Sequence, residues 1–259
     1  GFELELSHFN KVHDWQYSIS GNVSFARNKI LDIDEAANAQ TWQMRTGHSM
    51  GTELYYDALG IYRTQEDIDN TPHPIGTKVG DLQYRDINDD GIIDSKDQIR
   101  LDKTNIPEIV FGLNLGVSYK NFDFSALFQG QARAWRYIYL QSGLQGNTLK
   151  DLALNRYSES NPNSKYPHLT SYSTEISGYR STFWLKNSFF LRLKSIEIGY
   201  SVSNSLLDKL KVQKLRLYVS AFNLFTIDGL KWFDPEGDSE TGAFYPQNKI
   251  FNFGLNLTF

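Results

Sequence analysis

Seven runs of residues alternate between apolar and polar side chains, aromatic residues make up 14% of the chain, and the joints between the runs are by turns short and long. Together these predict an all-β fold: an antiparallel transmembrane β-barrel segment of about seven strands, incomplete as a barrel, with long extracellular loops. The 259 residues are 40% apolar and 22% charged, which lies in the folded range. With 15 Tyr and 17 Phe against two Met, the composition favours strands and wet-dry boundaries over helical cores.

The first run sets Phe2, Leu4 and Leu6 against Glu3, Glu5 and Ser7. The second sets Trp15, Tyr17, Ile19, Val23 and Phe25 against Gln16, Ser18, Ser20, Asn22 and Ser24. In the third, Ile109, Phe111, Leu113, Leu115, Val117 and Tyr119 oppose Gly112, Asn114, Gly116 and Ser118. The fourth sets Phe122, Phe124, Ala126 and Phe128 against Asp123, Ser125 and Gln129. The fifth, "FFLRLKSIEIGY", changes parity between Leu193 and Ile196, which a bulge near Ser195 reconciles. Leu215, Leu217, Val219 and Ala221 carry the sixth. Phe251, Phe253, Leu255, Leu257 and Phe259 carry the seventh, against Asn252, Gly254, Asn256 and Thr258.

About five residues join the first two runs, Lys120 and Asn121 join the third and fourth, and roughly ten join the fifth and sixth. The other joints are long, at residues 28–107, 132–184 and 226–249. Structureless loops of that length are uncommon in compact soluble domains. Short periplasmic turns with long outer loops are the habit of outer-membrane barrels, whose strands need ~9–11 residues to cross the apolar layer. The polar parities hold small Ser, Asn and Gly, which suits a barrel lumen; a soluble sheet more usually shows Lys, Glu and Thr there. On alternation alone, a secreted calcium-stabilised β-sandwich that binds glycans remains the alternative.

Seven strands do not close a transport barrel, and bacterial single-chain barrels have even strand counts. The chain is therefore expected to be the last part of a larger barrel, ending on the periplasmic side at Phe259, with its open edges covered by strands of a longer parent. Gly1 leads directly into "GFELELSHF", so a leader is expected further upstream in that parent. A net charge of −4 and the lack of a Lys/Arg cluster give nucleic acid nothing to hold. Zero cysteines exclude disulfides and thiolate metal sites.

Several stretches resemble the C-terminal third of the SusC/RagA class of TonB-dependent outer-membrane transporters. In the family's order they are "GFELELS", "VGDLQYRDINDDGIIDSKDQ", "PEIVFGLNLGVSYKNFDFSALFQG", "SFFLRLKSIEIGY", "LRLYVSAFNLFT", "FDPE" and the closing "FNFGLNLTF". The resemblance implies a barrel of about 22 strands with an N-terminal plug in the outer membrane of a Gram-negative bacterium. It further implies contact with the TonB complex through a part before Gly1, and a SusD-like surface lipoprotein closing the outer mouth. The cargo it implies is oligosaccharide or peptide.

Three groups of residues point to chemistry. In "DINDDGIIDSKD", Asp86, Asn88, Asp90, Ile92, Asp94 and Asp97 occupy positions 1, 3, 5, 7, 9 and 12 of a calcium loop, with Gly91 at the sharp turn and Ile93 as apolar tether. Hard oxygens must converge on Ca2+, and a tightly bent acidic loop allows it; a solvated acidic turn is the other reading. The second group, Phe251, Phe253, Leu255, Leu257 and Phe259, resembles the signal read by the barrel assembly machinery as strand addition, and is also an ordinary strand against outer-membrane lipid. The third group comprises the loop aromatics Trp135, Tyr137, Tyr139, Trp184 and Trp232. They offer ring faces to substrate or partner beside polar neighbours such as Arg133, Arg136, Gln141 and Asn147, or else build the loops' own cores. Glu197 and Lys194 are expected to face the lumen and pair. Five His without HExxH spacing, no GxSxG and no Walker-type loop give no support for an enzyme.

Overall fold

The computed structural model describes residues 1–139, 148–169, 176–210, 212–237, 239–241 and 244–259, with the backbone alone for 208–210. Each alternating run is a strand: β1 (Phe2–Val12), β2 (Trp15–Phe25), β3 (Ile109–Tyr119), β4 (Phe122–Ala132), β5 (Phe190–Ser201), β6 (Lys214–Phe222) and β7 (Ile250–Thr258). They pair in chain order as one antiparallel sheet, and Thr226–Asp228 continues β6 against β5. Five of the seven strands have 11 or 12 residues, enough to cross an apolar layer. The sheet is open, with β1 and β7 at its edges.

Register turns seven separate alternations into one surface. One row across the sheet reads Val12, Trp15, Tyr119, Phe122, Tyr200, Leu217, Leu255, and another reads His8, Ile19, Leu115, Ala126, Ile196, Ala221, Phe251. Side chains of one parity therefore share one apolar face, since a slip of a single residue would send a strand's apolar set to the other side. Phe251, Phe253 and Leu255 are 61%, 82% and 60% exposed there, and no second sheet covers that face among the described residues. A sandwich would bury this face, so the sandwich alternative does not hold.

The opposite face carries Lys11, Gln16, Ser118, Asp123, Gly199, Tyr218 and Gly254 in a single row. Glycine at 199 and 254 leaves room for side chains that cross over it: an added Cβ would lie 2.3 Å from Arg216 Nη2 and 2.3 Å from Tyr218 Cζ respectively, so either side chain would have to shift. Arg216 crosses Gly199 to donate to Asp123 through Nε at 3.0 Å and to Glu197 through Nη2 at 2.7 Å.

Two expected details change. Strand β1 runs through residues 8–12 although its alternation breaks, with His8 on the apolar face and Phe9 opposite Ser18 on the other. The first turn is therefore only His13 and Asp14. His13 and Lys120 open the two tight turns at φ of 55° and 52°, as two-residue hairpins require. The joint between β5 and β6 contains a helix, Asn204–Leu210.

Candidate functional site

The three long loops leave the same end of the sheet, after Phe25, Ala132 and Phe222, and fold together. Loop one adds two small antiparallel pairs, Leu54–Tyr56 with Gln98–Arg100 and Ala58–Ile61 with Leu82–Tyr84. Loop two pairs Trp135–Tyr137 with Leu185–Asn187. The amide of Tyr56 donates to Arg180 O at 2.9 Å, and that of Thr182 donates to Tyr56 O at 2.9 Å, joining loops one and two. Tyr55, Tyr56, Leu82 and Tyr84 of loop one meet Tyr137, Ile138, Leu152, Tyr166 and Trp184 of loop two, with Leu230 of loop three, in one buried core.

Arg180 binds all three loops. Its guanidinium donates to Glu53 of loop one and, at 3.1 Å, to Glu240 of loop three. It also lies 5.3 Å from the ring centroid of Tyr55 and 4.3 Å from that of Tyr137. Burial raises the phenols of Tyr55 and Tyr137 above the ordinary tyrosine range, and it pushes Tyr56 up to about 12. The tyrosines here are therefore neutral, and charge comes only from the Arg, Lys and Glu side chains.

A second junction ties loop one to loop two. Asp81, 3% exposed, meets His168 Nε2 at 2.6 Å and accepts from Ser177 Oγ at 2.6 Å and from the Lys78 amide at 2.8 Å. Burial pushes its carboxyl up, yet the bonds from His168, Ser177 and Lys78 outweigh this and hold it below the usual carboxylate value.

The aromatic residues singled out in the sequence fall into two groups. Trp184 is fully buried with its Nε1 donating to Ser177 O, and Tyr137 is 8% exposed, so both stand in the core of the loop layer. Tyr139 meets Trp184 edge-on at 5.7 Å. Trp135 and Trp232 are half-buried; Trp232 donates to Asp151 at 3.1 Å, and Trp135 lines a cleft with Glu53, Lys103 and Arg180. Arg133 is exposed and reaches Glu108, Arg136 is buried, and Gln141 and Asn147 lie outside the described residues.

In the acidic loop, Asp86 Oδ2 accepts from the Gly91 amide at 2.8 Å, Asn88 Oδ1 from Asp90, and Asp90 Oδ1 from Ile92. Gly91 takes a φ of 81° at the bend and Asp89 one of 56°. Asp94 caps the short helical turn Ser95–Asp97. Asp97, fully buried, accepts from the amides of Ile87 and Asp94 and so joins the loop's two ends. Ile93 is buried in the core as the expected tether. Among the described residues no three His, Cys, Asp or Glu side chains form a metal-holding group.

The assembled sheet and loop layer have known counterparts. The TonB-dependent receptor P3 of Formosa agariphila is 28% identical over 294 residues, spanning 100% of this chain and 28% of that protein. The TonB-dependent receptor SusC of Bacteroides thetaiotaomicron is 28% identical over 261 residues, spanning 95% of this chain and 25% of that protein. A structure of the RagAB peptide transporter matches with a TM-score of 0.74 at 24% identity, covering 99% of this chain and 29% of that one. In sequence and in fold the chain is similar to a segment of the SusC/RagA-class TonB-dependent receptors. A structure of the RagAB peptide importer in the closed-closed state matches with a TM-score of 0.71 at 25% identity. No family model matches the sequence. The chain spans only about a quarter of the two receptors it matches in sequence.

Trp15 stacks on Tyr119 at 4.4 Å and Phe122 meets Tyr200 at 4.9 Å, an aromatic row at the short-turn end where a membrane interface belt belongs. Period-two parity alone placed these residues on the right face, but only the register brought them into one row.

Proposed function

We propose that this chain forms part of the wall and outer loops of an outer-membrane, TonB-dependent importer of a Gram-negative bacterium, taking up oligosaccharide or peptide with a SusD-like surface lipoprotein. The RagAB structures are of a peptide transporter, which supports peptide as cargo beside oligosaccharide. What carries this reading is the single apolar face of the seven-stranded sheet, exposed and continuous, with all three long loops gathered at one end. Such a face needs lipid, and its open edges need the remaining strands of a barrel. The sheet and loops give no drive for transport of their own; that would come through contact with the TonB complex elsewhere in the parent.

Two further parts belong to this proposal. The acidic loop would hold Ca2+ through Asp86, Asn88, Asp90, the carbonyl of Ile92, Asp94 and Asp97, as a structural clamp. Asp86 Oδ1 is buried without a hydrogen-bond partner, a cost that a hard cation would relieve, and every donor in the set is oxygen. The alternating residues of β7, with Phe259 beyond its last pair, would be read by the barrel assembly machinery. Deleting Phe259 in the full-length parent should lower its assembled yield.

The deciding experiment is energised uptake by cells expressing the full-length parent. Accumulation of labelled peptide or oligosaccharide should stop when TonB is deleted and when the gene is deleted. Uptake indifferent to TonB would overturn the proposal.

A further inference from the structure

The three outer loops enclose a cleft of about 110 Å³ beside the Arg180 junction. Its walls are Tyr55, Tyr137 and Trp135, and its charged groups are Lys103, Arg136 and Arg180 against Glu53 and Glu240. Among the described lining residues, three cations stand with two carboxylates. Arg180 takes both carboxylates, and Arg136 is a buried guanidinium. Lys103 has no carboxylate partner among the described residues; the residue is half-buried and its ammonium lies 4.2 Å from the centroid of the Trp135 ring.

An ammonium set against an aromatic face with no carboxylate beside it can still take an anion, and charge-assisted bonds to a carboxylate exceed neutral ones. The neighbouring Thr104 and Asn105 side chains add neutral polar groups to the same wall. The cleft is small and mostly polar, with aromatic rings on its wall, which suits one charged end group of a ligand and not a whole ligand. Glu53 and Glu240 are held on Arg180, which leaves Lys103 as the cation of this wall that pairs with no carboxylate among the described residues.

We propose that this cleft is a subsite on the outer loops that takes the carboxylate of an incoming ligand, with Lys103 as its counter-ion and Trp135 as its wall. The carboxylate can come from the C-terminus of a short peptide or from a uronic acid of a glycan. The proposal rests on the importer reading for the outward position of the loops.

The test uses the full-length receptor in detergent and isothermal titration. One arm compares a pool of pentapeptides bearing free C-termini with the same pool amidated; the other compares trigalacturonate with its methyl ester. In one arm the acid should bind about tenfold more tightly than its neutral counterpart. Lys103→Gln should abolish that difference while leaving the melting temperature unchanged, and Lys103→Arg should keep it. The arm that discriminates names the source. Equal binding of acid and neutral probes, binding of no probe, or a difference that survives Lys103→Gln would overturn the subsite. Uptake that depends on TonB would stand in each of those cases, so failure of the subsite and failure of the importer reading are told apart.

Discussion

Arg192 on β5 and Asp234 in loop three are 42 residues apart in sequence, yet their side chains meet at 2.8 Å with Arg192 only 2% exposed. Arg192 also donates to Glu236, and through Nε to Thr226 Oγ1 at 2.9 Å, while its guanidinium lies 5.4 Å from the ring centroid of Phe190. One buried cation thus fastens the "FDPE" stretch onto the outer end of the sheet. Removing it would leave Asp234 without its cation and Glu236 with only Lys194 and Gln247. Arg192→Ala is expected to destabilise the full-length protein by about 3–5 kcal/mol, seen in chemical unfolding, and to open loop three to protease first. Arg192→Lys should recover little, because a single ammonium does not reproduce a fork that reaches Asp234, Glu236 and Thr226 together.

The Asp81 junction predicts how the loop layer responds to acid. The folded state holds this carboxyl below its ordinary value, so its contribution is fully present above the unfolded value near ~3.9 and is lost as pH falls through the lower folded value. Asp81→Asn keeps the shape but not the charge. The variant should be less stable than the unaltered protein by roughly 1–3 kcal/mol at pH 5, and this gap should narrow as pH is lowered toward 3. Fluorescence of the buried Trp184 during unfolding at each pH reads the difference. A gap that widens on acidification would contradict the junction's role.

The calcium proposal has a built-in reporter. Trp42 Nε1 donates to Lys96 O at 2.8 Å, and Gln43 donates to Ser95 O and Gln98 O, so loop one's earlier part leans on the acidic loop. Calcium should raise the melting temperature of the full-length protein, and a chelator should reverse the rise. Terbium in its place should give emission sensitised by Trp42. Asp86→Ala with Asp90→Ala should lose both effects while the protein still folds, since these two side chains lie outside the core. A melting temperature indifferent to calcium in the unaltered protein would leave the loop as a hydrogen-bonded acidic turn.

The sheet was legible in the sequence because membrane strands carry a period-two signal over 11 residues, long enough to read without partners. Strand ends were less so: residues 8–12 lose the alternation, and pairing with β2 extends the strand over them. The bulge was read within one position, at the shift between Leu193 and Ser195. That shift also explains the failed pairing of Lys194 with Glu197. Lys194 is the extra residue and turns to Glu236 and Gln247, which leaves Glu197 to Arg216. The loop layer left no such trace. Its strands are three or four residues long, and its core joins residues such as Tyr56 and Trp184 that are far apart in the chain, so neither period nor spacing marks them. The roles of the single residues there, Arg180 above all, exist only once three loops have met.

The two faces of β7 give the most direct trial of which side meets lipid. Phe253 pairs with Val219 on the apolar face and is 82% exposed, whereas its neighbour Asn252 pairs with Ser220 on the other face. A cation set into the lipid face of a barrel costs about 2–4 kcal/mol at the bilayer midplane and much less near the interfaces, while a lumen position tolerates charge. Phe253→Arg should therefore lower the stability of the assembled full-length barrel by a few kcal/mol on that scale, and Asn252→Arg should leave it within about 1 kcal/mol, by urea unfolding in lipid. The two positions are adjacent in one pleated strand and the residue introduced is the same, so depth in the strand is nearly the same for both. An equal cost at the two sites would mean that neither face is against lipid, and the reversed order would mean that the barrel closes with its aromatic side inward.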